Sequence, residues 1–317
     1  MPEPPKLVFG KSARITSLLR EVALYARTPH PILILGEPGV GKTAIAQLIH
    51  QQSGRAGKFV KQAASWIPAH LEVAQLAGHE KGAFTGAHEA RPGLIESAHG
   101  GTFFLDELGL ASAVVQQLLL QLLEDRTIRR LGEVRDRPVD VRFLGATNAD
   151  LDAMVAAGSF REDLRHRFGY LVLQVPRLAE RRDEILGLAE SFVAREARVI
   201  GLPMPPRIAP AVRAYFQAAP WPGNIRELEA VCRYAVLHAQ PDGDIELCDL
   251  PNEFMASMAE IGQHHQDRGQ LHRIQAALAR TKGDKAKAAR LLGLSRQHLY
   301  RILRNAASLA VFSVLMS

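Results

Sequence analysis

The segment Gly36-Glu37-Pro38-Gly39-Val40-Gly41-Lys42-Thr43 follows directly on the apolar run Pro31–Leu35 and leads into a helical pattern over 42–52. A strand, a glycine-rich turn closing on Lys-Thr, and a helix together make a phosphate-binding loop. The glycines let backbone N–H groups curl about an anion, and the helix N-terminus adds its unpaired donors and positive dipole end. In that geometry Lys42 supplies a point charge to the β and γ oxygens and Thr43 a hydroxyl for Mg2+. Gly36, Glu37, Pro38, Gly39, Val40, Gly41 and Ala44 complete the lining. Such a loop belongs at the carboxyl end of a buried parallel strand, which is why it constrains the fold so strongly. A glycine-rich turn without nucleotide is the alternative that the local sequence leaves open.

A second apolar run, Thr102-Phe103-Phe104-Leu105, ends in Asp106-Glu107, as a central parallel strand ending at a ligand crevice should. Asp106 would hold Mg2+, directly or through water, and Glu107 would polarise the water attacking the γ-phosphate. Acidic pairs are common at strand ends, so this reading draws its force from the loop before it. Apolar runs at 31–35, 58–64, 102–106, 140–146 and 170–175 alternate with helical patterns at 12–27, 42–52, 68–76, 112–124, 150–157, 159–167 and 180–199. The alternation predicts a doubly wound α/β domain.

A chain of 317 residues, 47% hydrophobic and 23% charged, can bury a large core. No run approaches the roughly 18 apolar residues of a spanning helix, and the N-terminal Met1-Pro2-Glu3-Pro4-Pro5-Lys6 lacks an apolar signal core. These features predict a cytoplasmic protein without membrane insertion. Cys232 and Cys248 are the two cysteines, which argues against a disulfide framework or a cysteine-rich zinc site. The net charge of +6 is concentrated: residues 271–304 hold nine Lys or Arg against the single acid Asp284, a net +8 that leaves −2 for the rest. A basic module on a near-neutral body points to nucleic acid. Its apolar residues recur at helical spacing in three stretches, with Gly293-Leu294 as a tight turn and Ser295 as an N-cap between the last two, which reads as helix-turn-helix. Arg296, Gln297 and Arg301, with Tyr300 beside them, form the face for the major groove, and Lys285 a phosphate contact. A basic helical bundle that binds protein is the alternative.

Gly82-Ala83-Phe84-Thr85-Gly86-Ala87 stands between the loop and the acidic strand end. By itself it is a small two-glycine turn with one exposed aromatic. In this position it resembles the GAFTGA loop of bacterial enhancer-binding proteins, the AAA+ ATPases that act on RNA polymerase carrying sigma-54. The resemblance covers about residues 8–304. Val141–Asn148 is similar to the family's sensor I strand, Phe160-Arg161-Glu162-Asp163-Leu164 with Arg167 to its arginine-finger segment, and Trp221–Leu228 to sensor II. Residues 283–296 resemble the Fis-type DNA-binding domain.

The resemblance implies a definite architecture: an AAA+ P-loop α/β subdomain over 1–201, a helical lid over 202–251, a linker over 252–270 and a Fis-type helix-turn-helix over 271–304. An apolar tail follows at 305–317, read either as a dimer contact or as a terminal scar. The resemblance also implies that Asn148 reports the γ-phosphate state, that Arg226 lies near the phosphates, and that Arg161 and Arg167 complete a neighbouring subunit's site in a hexameric ring, homo-oligomeric or shared with a paralogue. Surface ion pairs with Glu162 or Asp163 are the alternative for the two arginines. Residues 82–87 would touch the sigma factor, so the partners are the sigma-54 holoenzyme and enhancer DNA, with ATP and Mg2+ as cofactors. About seven residues precede the ATPase region, leaving no room here for a sensory domain and implying control by a separate protein. A DNA-binding regulator that uses ATP only as a switch, without sigma-54, is the competing function, and a DNA-loader ATPase a third.

Three positions depart from the family pattern. Ala63 stands where an asparagine usually restrains the catalytic glutamate, with Ser65 two residues on as a substitute. Leu76-Ala77-Gly78 replaces LFG, and Ala179 replaces an arginine where the chain enters the lid.

Arg296→Ala is expected to cost about 1–3 kcal/mol and relax base preference, while Lys285→Ala weakens binding to all sequences and flattens the salt dependence by about one unit. Truncation after Gln270 removes site-specific binding and spares ATPase activity. Footprinting that shows unchanged promoter protection by the truncated protein places the DNA-binding surface elsewhere.

Overall fold

The computed structural model describes Gly10 and residues 12–240 and 243–255. The linker beyond residue 255, the basic module with Lys285, Ser295, Arg296, Gln297, Tyr300 and Arg301, and the apolar tail lie outside the described residues. The chain divides into two compact units at Asp249 and Leu250, and the nucleotide-binding region lies wholly in the first.

Nine strands occur among the described residues: β1 (Ile32–Leu35), β2 (Phe59–Ala63), β3 (Gly78–His79), β4 (Arg91–Pro92), β5 (Thr102–Asp106), β6 (Thr127–Ile128), β7 (Arg137–Pro138), β8 (Arg142–Thr147) and β9 (Val172–Gln174). Five form a sheet in the order β2-β5-β8-β1-β9, every neighbouring pair parallel. These five are the strands predicted from the apolar runs, and the doubly wound class stands. β3 pairs with β4 and β6 with β7 as short antiparallel ladders. Two residues per strand leave too little alternation to read in advance.

Alternation along the strands sends one set of side chains to each face. Leu33, Phe103, Leu105 and Phe143 pack on one side with Leu119, Leu122 and Phe168. Ile32, Ile34, Phe104, Leu144 and Ala146 pack on the other with Ile15, Leu18, Ile45 and Ile49. Both faces are covered, as an all-parallel sheet requires. The helices carry the caps that their sequences offer. Ser12 accepts from Ile15 N at the start of Ala13–Ala26, and Ser112 from Val115 N before Ala113–Asp125. Pro210 occupies the first turn of Pro210–Ala218, where its missing N–H costs nothing.

Several predicted helices are shorter than their patterns. The stretch 68–76 is helical over Glu72–Leu76 and 159–167 over Glu162–Arg167. The stretch 180–199 begins as two 3-10 turns before the helix Ile185–Val199. That helix packs on Asn224–His238. Cys232 lies buried in the latter, and burial pushes its thiol up to about 12, so it serves as a packing residue. No helix among the described residues is long and apolar enough to cross a membrane.

Candidate functional site

Register brings the functional ends together. Leu35 pairs with Thr147, and Ala63 with Asp106, so the segments after β1, β5 and β8 leave one edge of the sheet side by side. The loop after β1 turns at Gly39 (φ 77°) and Gly41 (φ 101°), the latter capping the helix Lys42–Gln52. Glycine is required at 39 on two grounds: its positive φ, and a packing distance that would put a Cβ 2.4 Å from the Gly223 carbonyl oxygen. Lys42 Nζ donates to the carbonyls of Gly36 (2.7 Å) and Glu37 (3.0 Å). Burial lowers the Lys42 pKa from the ordinary lysine value; Asp106 opposes that shift, Arg226 adds to it and Glu107 opposes it. Two cations, Lys42 and Arg226, therefore act on one position, with the first-turn N–H groups of the helix beside them.

Asp106 ends β5 and Glu107 follows in the left-handed region, φ 56°. A glutamate there is strained, a frequent property of functional positions. The Ser65 hydroxyl donates to Glu107 Oε2. Ser65 is thus the group that restrains the glutamate where Ala63 offers no side-chain donor, although it lies in the 3-10 turn Ala64–Trp66 and not on the strand. Asn148, just past β8, lines a cleft of about 640 Å3 together with Glu37, Pro38, Gly223 and Arg226. Thr43 and Asp106 present a hydroxyl and a carboxylate, a hard-oxygen pair that fits Mg2+ completed by phosphates and water.

Arg161 and Arg167 are exposed on the helix Glu162–Arg167 and at its start. Arg161 pairs with Asp163, at 2.6 Å from Nη2, and Arg167 with Glu124. Within one subunit both are thus held by carboxylates of their own chain.

The loop is clamped by residues to which sequence reasoning assigned no role. Arg181 Nη2 donates to the Val40 carbonyl at 2.5 Å, and Nη1 pairs with Glu184 at 3.1 Å. The two side chains are only 3% and 1% exposed. Burial lowers the Arg181 pKa and raises that of Glu184, each opposed by the partner's charge. Asn224, buried with φ 53°, donates to Pro38 O (3.2 Å) and Glu37 Oε2 (3.3 Å) and accepts from Leu178 N (2.9 Å). Ile225 N donates to Gly39 O, and Arg177 pairs with Glu37 at 2.7 Å. Arg177 and Arg181 therefore contact the loop on either side of Ala179. Arg181 and Glu184 stand in the strongly charged run 180–184, whose composition reads as solvated surface, so no sequence signal marked them.

The segment 82–87 tips a hairpin built on β3 and β4. Gly82 N donates to Ala87 O and Ala87 N to Phe84 O. Phe84 is half-buried against His79, ring centroids 5.0 Å apart, rather than exposed as the sequence suggests; Thr85 is the side chain left in solvent. At the hairpin base Glu80 pairs with Arg130 (3.0 Å) and Arg137 (3.2 Å), and Arg130 with Glu96 (2.8 Å). Ala77 stands where the motif has its aromatic and is fully buried with Leu76, while the retained Gly78 adopts φ 93°.

Comparison with known proteins agrees with this geometry. The sigma-54 interaction domain matches residues 8–174, the AAA+ ATPase lid domain residues 179–267, and the bacterial regulatory protein, Fis family, domain residues 271–304. The DNA-binding transcriptional regulator NtrC of Escherichia coli (strain K12) is 35% identical over 331 residues, spanning 95% of this chain and 70% of its own. The alginate biosynthesis transcriptional regulatory protein AlgB of Pseudomonas aeruginosa is 40% identical over 295 residues, 92% of this chain and 65% of its own. The crystal structure of NtrX from Brucella abortus in complex with ATP matches with a TM-score of 0.70 and 33% identity, over 95% of this chain and 69% of that one.

The Arg181–Glu184 pair yields a pH-dependent prediction. Arg181→Met leaves Glu184 buried without its counter-ion and should cost about 3–5 kcal/mol near neutral pH. The folded-state pKa of Glu184 is already raised, and losing Arg181 raises it further. The variant's stability should therefore be fullest below the ordinary glutamate value and fall as pH rises through the folded value. Thermal unfolding followed from acid to neutral pH should show that slope, and Arg181→Met/Glu184→Gln should abolish it. A flat profile for the single variant contradicts the assignment.

Proposed function

The chain belongs to the sigma-54-dependent transcriptional activators, and on that premise we propose that it hydrolyses ATP in an oligomeric ring, in the cytoplasm, to drive the holoenzyme from the closed to the open promoter complex. The carrying observation is the convergence of Lys42, Asp106, Glu107, Asn148 and Arg226 on one edge of the sheet, while Thr85 stands on a separate hairpin. Chemistry and mechanical contact are thus assigned to different elements. That NtrX is solved with ATP supports the nucleotide assignment.

Lys42 and the first-turn N–H groups of its helix hold the β- and γ-phosphates. Mg2+, held by Thr43 and Asp106, would neutralise charge on the phosphate oxygens. Glu107 accepts a proton from the attacking water, and the Ser65 hydroxyl fixes which carboxylate oxygen is free to do so. Asn148 and Arg226 close on the phosphate end from the sheet and from the lid.

Arg161 and Arg167 act on the neighbouring subunit's phosphates, releasing Asp163 and Glu124 as they do so; such an arginine is worth roughly 10³–10⁵ in rate. Six subunits, of one kind or shared with a paralogue, would form the ring. The basic module at 271–304 would bring it to enhancer DNA, and a separate protein would control it.

Thr85→Ala tests the separation. ATP turnover should stay within about twofold of the wild type, because the residue stands on a hairpin apart from the phosphate loop, whereas open-complex formation at a sigma-54 promoter should fall by about 5- to 150-fold, the range expected when a coupling contact is removed. Wild-type activation by this variant would favour a DNA-binding regulator that uses ATP as a switch without engaging sigma-54.

A further inference from the structure

The position between Thr43 and Asp106 already has a cation within reach. Lys61 Nζ donates to Thr43 Oγ1 at 2.8 Å and lies 3.7 Å from Asp106 Oδ2. It also stands 6.0 Å from the centroid of the Phe104 ring. These two oxygens are the ones assigned above to Mg2+. The strand delivers the lysine there: Lys61 pairs with Phe104 and Ala63 with Asp106, and residues two apart share a face.

An ammonium and a magnesium ion cannot occupy the same oxygen pair, since charges of +1 and +2 within about 4 Å repel strongly in a partly buried setting. The Lys61 side chain is 44% exposed, and its four-carbon stem is flexible enough to leave for solvent or for a phosphate oxygen. An ordinary surface ion pair would explain the approach to Asp106. It would not explain the shorter contact with the Thr43 hydroxyl, which offers the ammonium no charge.

We propose that Lys61 is a built-in counter-cation, which holds Thr43 and Asp106 in place of Mg2+, permits nucleotide to bind without metal, and is displaced when metal enters. The proposal rests on the ATP and Mg2+ reading above.

Equilibrium binding of methylanthraniloyl-ADP tests it in the full-length protein, with magnesium chloride as the metal source. In excess EDTA, Lys61→Met should bind this nucleotide at least about tenfold more weakly than wild type, while its half-saturating Mg2+ concentration should fall by about tenfold, each shift being a factor of ten in an equilibrium constant. The opposite signs are the signature, and Lys61→Arg should retain metal-free binding. Equal metal-free affinity and equal Mg2+ midpoints in wild type and Lys61→Met overturn the proposal. Loss of binding by Lys61→Met with and without metal also overturns it, by showing a structural role. Failure of the wild type to bind nucleotide under any condition would instead overturn the nucleotide reading itself.

Discussion

The hydrogen bond from Arg181 to the Val40 carbonyl is the contact on which the architecture turns. It ties the middle of the phosphate loop to the segment that leads into the helix Ile185–Val199, and it is made by a guanidinium buried almost completely against Glu184. A buried ion pair is costly to assemble and costly to break. It therefore resists the alternatives that a glycine-rich loop would otherwise sample. Asn224, Ile225 and Arg177 add four further ties to Glu37, Pro38 and Gly39. Loop and lid are thus one mechanical element. The helix Asn224–His238, which carries Arg226 at its first turns, is thereby tied directly to the loop.

The hairpin that carries residues 82–87 has a different kind of support. Its tip has few side chains and three of its six residues are glycine or threonine in the open, yet its base is fixed by Glu80, Arg130, Arg137 and Glu96. Glu96 raises the Arg130 pKa through its hydrogen bonds, against the burial that lowers it. Isolated exposed pairs contribute little, but this cluster shares carboxylates among partly buried arginines and so acts as a network. The hairpin thus combines a firm base with an open tip.

Much of this was legible in the sequence, for identifiable reasons. Buried parallel strands read as apolar runs, β1 and β5 most clearly, and the alternation placed β2 as well although Lys61 and Gln62 interrupt it. The loop announces itself because phosphate chemistry tolerates few residue types there, and the Asp106-Glu107 pair is legible in its company. What could not be read are contacts made across long separations by residues that look like surface. Arg181 and Glu184 sit in a run of charges, and Asn224 in a motif whose arginine is the residue expected at the phosphates. Lys61 alternates into the site from a strand whose pattern is half polar. Phe84 illustrates the converse: an aromatic in a small turn reads as exposed until His79, five residues earlier, turns out to lie beneath it.

In the proposed function, nucleotide hydrolysis is converted into a change in sigma-54 holoenzyme. The most direct measurement is heparin-resistant open-complex formation by the purified protein on paired sigma-54 and sigma-70 promoters, with ATP or a non-hydrolysable analogue. Open complexes are expected only with sigma-54 holoenzyme and only with hydrolysable ATP. Open complexes that form equally with the analogue, or ATP-dependent activation confined to the sigma-70 promoter, would contradict the proposed function.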